Sequence, residues 1–316
     1  MIRNSAVLLF AGQGAQSVGM GRDLVERYPI AAERMAQADE QLGFSLSDVM
    51  FNGPSGELTR TSRCQPALFV HGIICLEILR DQLPDLDIVG TAGLSLGEFT
   101  AHAAAGTFDF ASGLDLVAKR GRFMEEATST TEGTMAALMG AEDEKVEELA
   151  TACNIDVANY NAPGQIVVSG TKEGVALAIE RAKDFGIRIA KELDVAGAYH
   201  SRLMISAQEK LAPALAALDV KEPEIRLVCN VDADLVTAPE DIRSTLVRQV
   251  SGSVRWSDSI RKFIADGDTN FIEIGPGGVL SGLMKRIDRS ASIASVHDCA
   301  SIDNLIESIA DLEAAA

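Results

Sequence analysis

The sequence predicts an α/β protein, a large unit of alternating strands and helices into which a small β-α-β-β-α-β unit is inserted. Three observations carry this. Short apolar or β-branched runs alternate with helical periodicity over most of the 316 residues, the pattern of a parallel sheet covered by helices. Between residues 134 and 194 the order changes to strand, helix, strand, strand, helix, strand, with no long linker on either side. A strand at 87–92 runs through Gly93-Leu94-Ser95-Leu96-Gly97 into a helix. The expected domains are 1–130 with 198–316 for the larger, discontinuous one and 131–197 for the insert.

The elements follow in order. Val7-Leu8-Leu9-Phe10 marks the first strand, 5–10. Helical spacing then covers 22–42 and 65–82, and Ile88-Val89-Gly90-Thr91-Ala92 forms the next strand. Helices at 96–105 and 112–126 complete the first part. In the insert, strands are expected at 134–139, 155–159, 165–169 and 187–193, and helices at 143–153 and 172–185. Asn161-Ala162-Pro163-Gly164 is a turn between two strands. This is the ferredoxin-like order. Alternation resumes with helices at 202–217 and 240–250 and strands at 225–230, 271–274 and 291–296.

Composition bounds the function. Hydrophobic residues make up 47% and aromatics only 5%, which is ample for a core and free of low-complexity bias. The formal net charge of −18 argues against general nucleic-acid binding and against docking on an anionic membrane. Its simplest meaning is solubility. The five cysteines are scattered, with no CxxC and no Cys/His cluster, so neither a disulfide framework nor a metal site is expected. No apolar stretch reaches the roughly 18 residues of a membrane span. The N-terminus opens on a strand and not on a signal-peptide pattern, so the expected location is cytoplasmic.

The G-x-S-x-G run has the context its chemistry needs. Small residues permit a sharp strand-to-helix turn that presents the Ser95 hydroxyl, and the Leu96 N–H at the helix start faces a developing oxyanion. A chance small-residue turn is the bland alternative. A serine nucleophile needs a base, and the chain has four histidines. His102 lies two helical turns beyond Ser95, about 10 Å away and out of reach. His71 sits inside a helix, where a core or surface histidine is the simpler reading. His200 follows the insert, at a domain junction where clefts form, and it comes after the serine in the chain. It ranks ahead of His297. No acid is marked as a third member; Asp194 and Asp258 are available, and a backbone carbonyl would also orient an imidazole.

Helix 112–126 carries Val117, Gly121 and Met124 on one face, with Arg120 between them and therefore inward or at the face edge. A buried arginine needs an anion. An internal carboxylate and a bound ligand satisfy that need equally. After the first strand, Gly12 and Gly14 flank Gln13 and free its N–H for close approach to a ligand. This loop is not a dinucleotide fingerprint, because Ser17 stands where the third glycine belongs. Gly275-Pro276-Gly277-Gly278 lacks that glycine too and reads as a tight turn.

Together these motifs resemble the malonyl-CoA:acyl carrier protein transacylase family, and the resemblance covers nearly the whole chain. Gly12-Gln13-Gly14-Ala15-Gln16 is similar to the family's first loop, Gln65-Pro66-Ala67-Leu68-Phe69 to its QPALF segment, and Gly93 to Glu98 to its G-x-S-L-G-E elbow. Arg120-Gly121, Asn161-Ala162-Pro163-Gly164-Gln165 and Gly275-Pro276-Gly277 fall at the family's positions.

The resemblance implies a hydrolase-like parallel-sheet domain with an inserted ferredoxin-like domain. It implies that Ser95 carries the acyl group, that His200 is the base and that the N–H groups of Gln13 and Leu96 form the oxyanion hole. Arg120 pairs with the malonyl carboxylate, and Met124 and Tyr199 join it in the substrate site. The main-chain carbonyl of Gln249 orients the histidine. The substrates are malonyl-CoA and a phosphopantetheinylated acyl carrier protein, with no metal or other cofactor, and a monomer is expected. Three residues depart from the family pattern: Ala11 replaces a proline, Leu94 replaces a frequent histidine, and Tyr199 precedes the catalytic histidine, where a bulky aromatic is expected to narrow the acyl pocket in favour of malonyl over methylmalonyl. The rival readings are a serine hydrolase or thioesterase, a trans-acting acyltransferase of polyketide synthesis, and a non-catalytic carrier-binding subunit. Both substrates are anionic and the chain is acidic, so docking is expected at local cations, with Arg188, Lys191, Lys285 and Arg286 as rim candidates.

Overall fold

The computed structural model describes residues 5–314; residues 1–4 and 315–316, at the two ends of the expected larger domain, lie outside it. Two sheets organise the chain. The first contains β1 (Ser5–Phe10), β2 (Asp87–Gly93), β7 (Arg226–Leu227), β8 (Asn270–Ile274) and β9 (Ser292–Val296), in the order β7-β2-β1-β8-β9. Every pairing in it is parallel. The central strand β1 is apolar on both faces, as a strand covered by helices on both sides must be. Leu8 and Phe10 enter one core while Val7 and Leu9 enter another.

The second sheet contains β3 (Gly133–Met139), β4 (Asp156–Ala162), β5 (Gln165–Thr171) and β6 (Ile189–Glu192), all antiparallel, in the order β4-β5-β3-β6. In the insert's own numbering this is second-third-first-fourth, the ferredoxin-like arrangement read from the sequence. Helices Asp143–Ala152 and Lys172–Arg181 supply its separate core, with Val146, Leu149, Val175 and Ala178 against Leu138, Ile166 and Val168. The insert is tied to the larger sheet's side of the molecule through β4, where Tyr160 N donates to Val254 O (2.9 Å) and Val254 N to Ala158 O (2.8 Å).

Several sequence expectations are corrected. The helix expected over 22–42 is two helices, Arg22–Arg27 and Pro29–Leu42, because Tyr28, preceding a proline, is extended. The strand expected over 225–230 pairs only at Arg226–Leu227; beyond it Val228 bridges Leu235 and the chain turns back. Helix 112–126 runs from Phe110 to Thr130, started by Asp109, whose side chain accepts from Ser112 N at 2.7 Å. Helix 202–217 opens with a 3₁₀ turn at Arg202–Met204. Helices Leu46–Asn52, Ser55–Thr59, Trp256–Ala265, Val279–Ile287 and Cys299–Ala314 were not expected. No helix among the described residues is long and apolar enough to cross a membrane.

Candidate active site

The site lies at the carboxyl ends of β1 and β2, where an open parallel sheet places its ligands. The elbow after β2 is made by close backbone contact. A Cβ on Gly93 would collide with the backbone of Gly97, and one on Gly97 with the carbonyl of Phe10 at the end of β1. Two glycines therefore let the serine helix, Leu96–Ala104, start directly against the strand. Ser95 at the apex takes φ 54° and ψ −103°, a strained conformation for an L residue. Asn230 clamps the apex from the far side: Ser95 N donates to Asn230 Oδ1 and Asn230 Nδ2 donates to Gly93 O, both at 2.8 Å.

His200 also has positive φ, 54°, and is 4% exposed. Its Nε2 lies 2.7 Å from Ser95 Oγ. Its Nδ1 faces two carbonyls, Gln249 O at 2.9 Å and Gly252 O at 3.1 Å. Carbonyls only accept, so Nδ1 carries the proton and Nε2 offers its lone pair to the serine. Burial, and next the charge of Arg120, push the imidazole down from 6.5 to about 4; the two carbonyl bonds oppose this. At neutral pH the ring is an uncharged base.

Arg120, on the helix Phe110–Thr130, is 1% exposed. One terminal nitrogen donates to Ser95 Oγ (3.1 Å) and to Gln249 Oε1 (2.8 Å), while Nε is buried without a partner. The guanidinium carbon stands 5.0 Å from the centre of the Phe99 ring. Burial lowers its pKa to about 10, with Glu98 and Tyr199 opposing, so it stays charged at neutral pH. Among the described residues no carboxylate forms an ion pair with it. The direct ion pair that sequence spacing allowed is therefore not seen; the buried Glu98 carboxyl acts on Arg120 only through space and across Gln249, and a cation with spare donors faces the cleft.

That cleft has a volume of about 520 Å³ and is lined by Gln13, Ser95, Leu96, Arg120, Met124, Tyr199 and His200, with Asn159, Asn161 and Gln165 from the insert. The N–H groups of Gln13 and Leu96 make none of the turn and loop bonds around them. Tyr199 OH pairs with Thr61 Oγ1 at 2.7 Å, which fixes the ring beside the histidine. Met124 Sδ receives Gln65 Nε2 at 3.4 Å.

The other candidates lie apart from the serine. His102 is buried against Thr107 (3.2 Å) and His71 bonds His297 O (2.9 Å). His297 sits beside Asp298 at 3.5 Å. Asp258 pairs with Arg255 and Arg261, and Asp194 lines the cleft without touching His200. Three participants escaped sequence reading: Asn230, Gly252, and the side chain of Gln249, whose Nε2 donates to Ser95 O (2.6 Å) and to Glu98 Oε2 (2.8 Å). Glu98 had a signal, its place three residues after the serine; Asn230, on a loop with no motif, had none. Among the described residues no group of three or more His, Cys, Asp or Glu is arranged to hold a metal.

Comparison with known proteins gives the family of the chain. The Acyl transferase domain family matches residues 7–315. The chain is 43% identical over 308 residues to the malonyl CoA-acyl carrier protein transacylase of Bacillus subtilis (strain 168), covering 95% of this chain and 96% of that protein. It is 37% identical over 294 residues to the protein of the same name in Escherichia coli (strain K12), covering 92% and 95%. The crystal structure of an acyl carrier protein S-malonyltransferase from Vibrio cholerae superposes with a TM-score of 0.91 at 36% identity, covering 95% of this chain and 99% of that one. A malonyl-transacylase solved in complex with a type II PKS acyl-carrier protein superposes with a TM-score of 0.91 at 35% identity, covering 96% and 99%. The chain belongs to the acyl transferase domain family and, within it, to the malonyl CoA-acyl carrier protein transacylases.

Proposed function

We propose that the chain moves a malonyl group from malonyl-CoA to the phosphopantetheine thiol of an acyl carrier protein, through a malonyl ester on Ser95. The observation that carries this reading is Arg120, a buried cation with no carboxylate partner, 3.1 Å from the Ser95 hydroxyl. His200 Nε2 takes the Ser95 proton as Oγ attacks the thioester carbonyl. The N–H groups of Gln13 and Leu96 receive the oxyanion. Collapse of the tetrahedral intermediate breaks the C–S bond, and CoA leaves as its thiol with the proton from His200. The carrier thiol then repeats the sequence on the malonyl-serine. Arg120 binds the free carboxylate in a forked pair and penalises acyl groups that leave it buried and unmatched. The reading calls on no metal or prosthetic group, and we take the protein as a cytoplasmic monomer with residues 131–197 as the inserted domain. Intact mass spectrometry tests the loading step: incubation with malonyl-CoA should add one malonyl group, and no mass gain would refute it.

Fatty-acid synthesis is the proposed setting. A polyketide carrier is the second reading, favoured by the solved relative whose partner is a type II PKS acyl-carrier protein. A hydrolase would share Ser95 and His200 but gains nothing from an unpaired Arg120.

Two predictions belong here. Because His200 is held down to about 4, kcat/KM for loading should stay level from neutral pH to about pH 5 and fall as the ring gains its proton below that. Rate measurements across pH 4–8, with folding followed by circular dichroism, check this; a fall centred near the ordinary histidine value contradicts it. Lys285 and Arg286 are exposed in the last turn of the helix Val279–Ile287, whose Val279 and Leu283 line the cleft. With a net charge of −18, the chain needs such local cations to meet an acidic carrier. Reversing both to Glu should raise the KM for the carrier several-fold and spare loading from malonyl-CoA. Equal KM values would remove this helix end from the docking surface.

A further inference from the structure

Among the wholly buried acids to which the proposed chemistry gives no role, Glu98 lies against the site. Glu98 lies beneath the elbow on the serine helix, and its Oε2 accepts from Gln249 Nε2 at 2.8 Å and from Asn230 N at 3.2 Å. The Gln249 carboxamide is thereby used at every position. Nε2 gives its protons to Glu98 Oε2 and to Ser95 O (2.6 Å), and Oε1 receives Arg120 at 2.8 Å. Rotating the carboxamide by half a turn would set an NH₂ against the guanidinium, donor against donor, and an oxygen against two acceptors. The acceptor pair on the Nε2 side forbids that turn. Ser95 O is already shared with Glu98 N at 3.1 Å, so the Glu98 carboxyl is the stronger anchor.

We propose that Glu98 is a positioning residue for acyl selectivity: it locks the Gln249 carboxamide with its oxygen on Arg120, and so aims the remaining guanidinium donors at the acyl carboxylate. This rests on the proposed role of Arg120. The lock does not need a charge on Glu98. Its other oxygen, Oε1, has no partner and faces His102 Nε2 at 4.0 Å, also without a partner. Thr107 Oγ1 gives its proton to His102 O, so it accepts from His102 Nδ1, and Nε2 is a bare lone pair. A protonated Glu98, or a glutamine, can present a donor toward that lone pair and keep its carbonyl oxygen on Gln249. Burial raises the acid to about 7, in keeping with a group that serves in either state.

The test compares single-turnover loading of wild type, Glu98→Met and Glu98→Gln by malonyl-CoA and acetyl-CoA, read by intact mass. Methionine fills the space without an acceptor. Glu98→Met should lower the malonyl-to-acetyl rate ratio by about tenfold or more, the size of one lost hydrogen bond in a charged network. Glu98→Gln should restore that ratio to within about threefold of wild type. If Glu98→Met does not accumulate folded, Glu98→Asp, whose carboxyl falls one methylene short of Gln249, is expected to lower the ratio in the same way. Equal slowing of both substrates would overturn the inference, because disruption of the elbow alone does not distinguish acyl groups. Failure of glutamine to rescue would overturn it too. A wild type with no malonyl preference would instead remove the role of Arg120 on which the inference rests.

Discussion

Ser95→Ala should abolish covalent loading by malonyl-CoA, and His200→Ala should slow it by about 10²–10⁴-fold. The two effects differ in kind. Without Oγ there is no atom to form the ester, so the mass of the chain should not change at any time of incubation. Without the imidazole the hydroxyl is present but must lose its proton to water. The geometry makes the second loss large, because Nε2 sits 2.7 Å from Oγ and its ring is held by two carbonyls on the opposite nitrogen. Both changes remove atoms at the cleft wall, so the fold should persist, which a melting curve checks. The double variant should lose no more than Ser95→Ala alone, since the base acts only through the nucleophile. Loading of Ser95→Ala at another residue would place the nucleophile elsewhere.

Arg120→Ala should cut malonyl loading by roughly 10²-fold or more while acetyl loading falls far less. The magnitude follows from the bond type: a forked, charge-assisted pair in a buried site is among the stronger polar contacts available. Acetyl has no carboxylate to lose. In wild type it leaves the guanidinium unmatched, so the variant should narrow the gap between the two substrates chiefly through the loss of malonyl loading. Stability is expected to rise or stay level, because a buried cation with an unpartnered Nε costs free energy in the empty protein. Single-turnover rates for both thioesters check the prediction. Equal loss for both would mean that Arg120 serves Ser95 and Gln249 and not the acyl group.

Much of the fold was legible because two periodicities hold along the chain. The β1 run Val7-Leu8-Leu9-Phe10 is apolar on both faces, and the insert's order survives intact as its antiparallel sheet. Boundaries failed where a local rule competes with periodicity. Pro29 splits an apparently continuous helix, and Asp109 starts another earlier than its apolar face suggests. The strand at 225–230 has the right composition, yet the chain turns back after Val228 and leaves Asn230 to clamp the elbow. In the site, Ser95 was marked by its glycines and His200 by its place after the insert. The inner layer was not marked. Gln249 and Glu98 lie 151 residues apart and meet only because the elbow folds onto the end of the helix Pro239–Gln249. Spacing alone leaves even odds on Arg120; the family resemblance tips them toward the malonyl carboxylate, and the structure adds that among the described residues its bonds go to Ser95 and Gln249 and to no carboxylate.

The most direct measurement is the fate of the loaded chain. Malonyl-CoA is added, free CoA and unreacted thioester are removed, and the mass of the chain is followed in buffer alone and with phosphopantetheinylated acyl carrier protein. The malonyl group should remain on the chain in buffer and transfer to the carrier thiol within the time of mixing, restoring the unloaded mass as the carrier gains it. Loss at the same rate with and without carrier, with free malonate as the product, would make the protein a hydrolase and contradict the account.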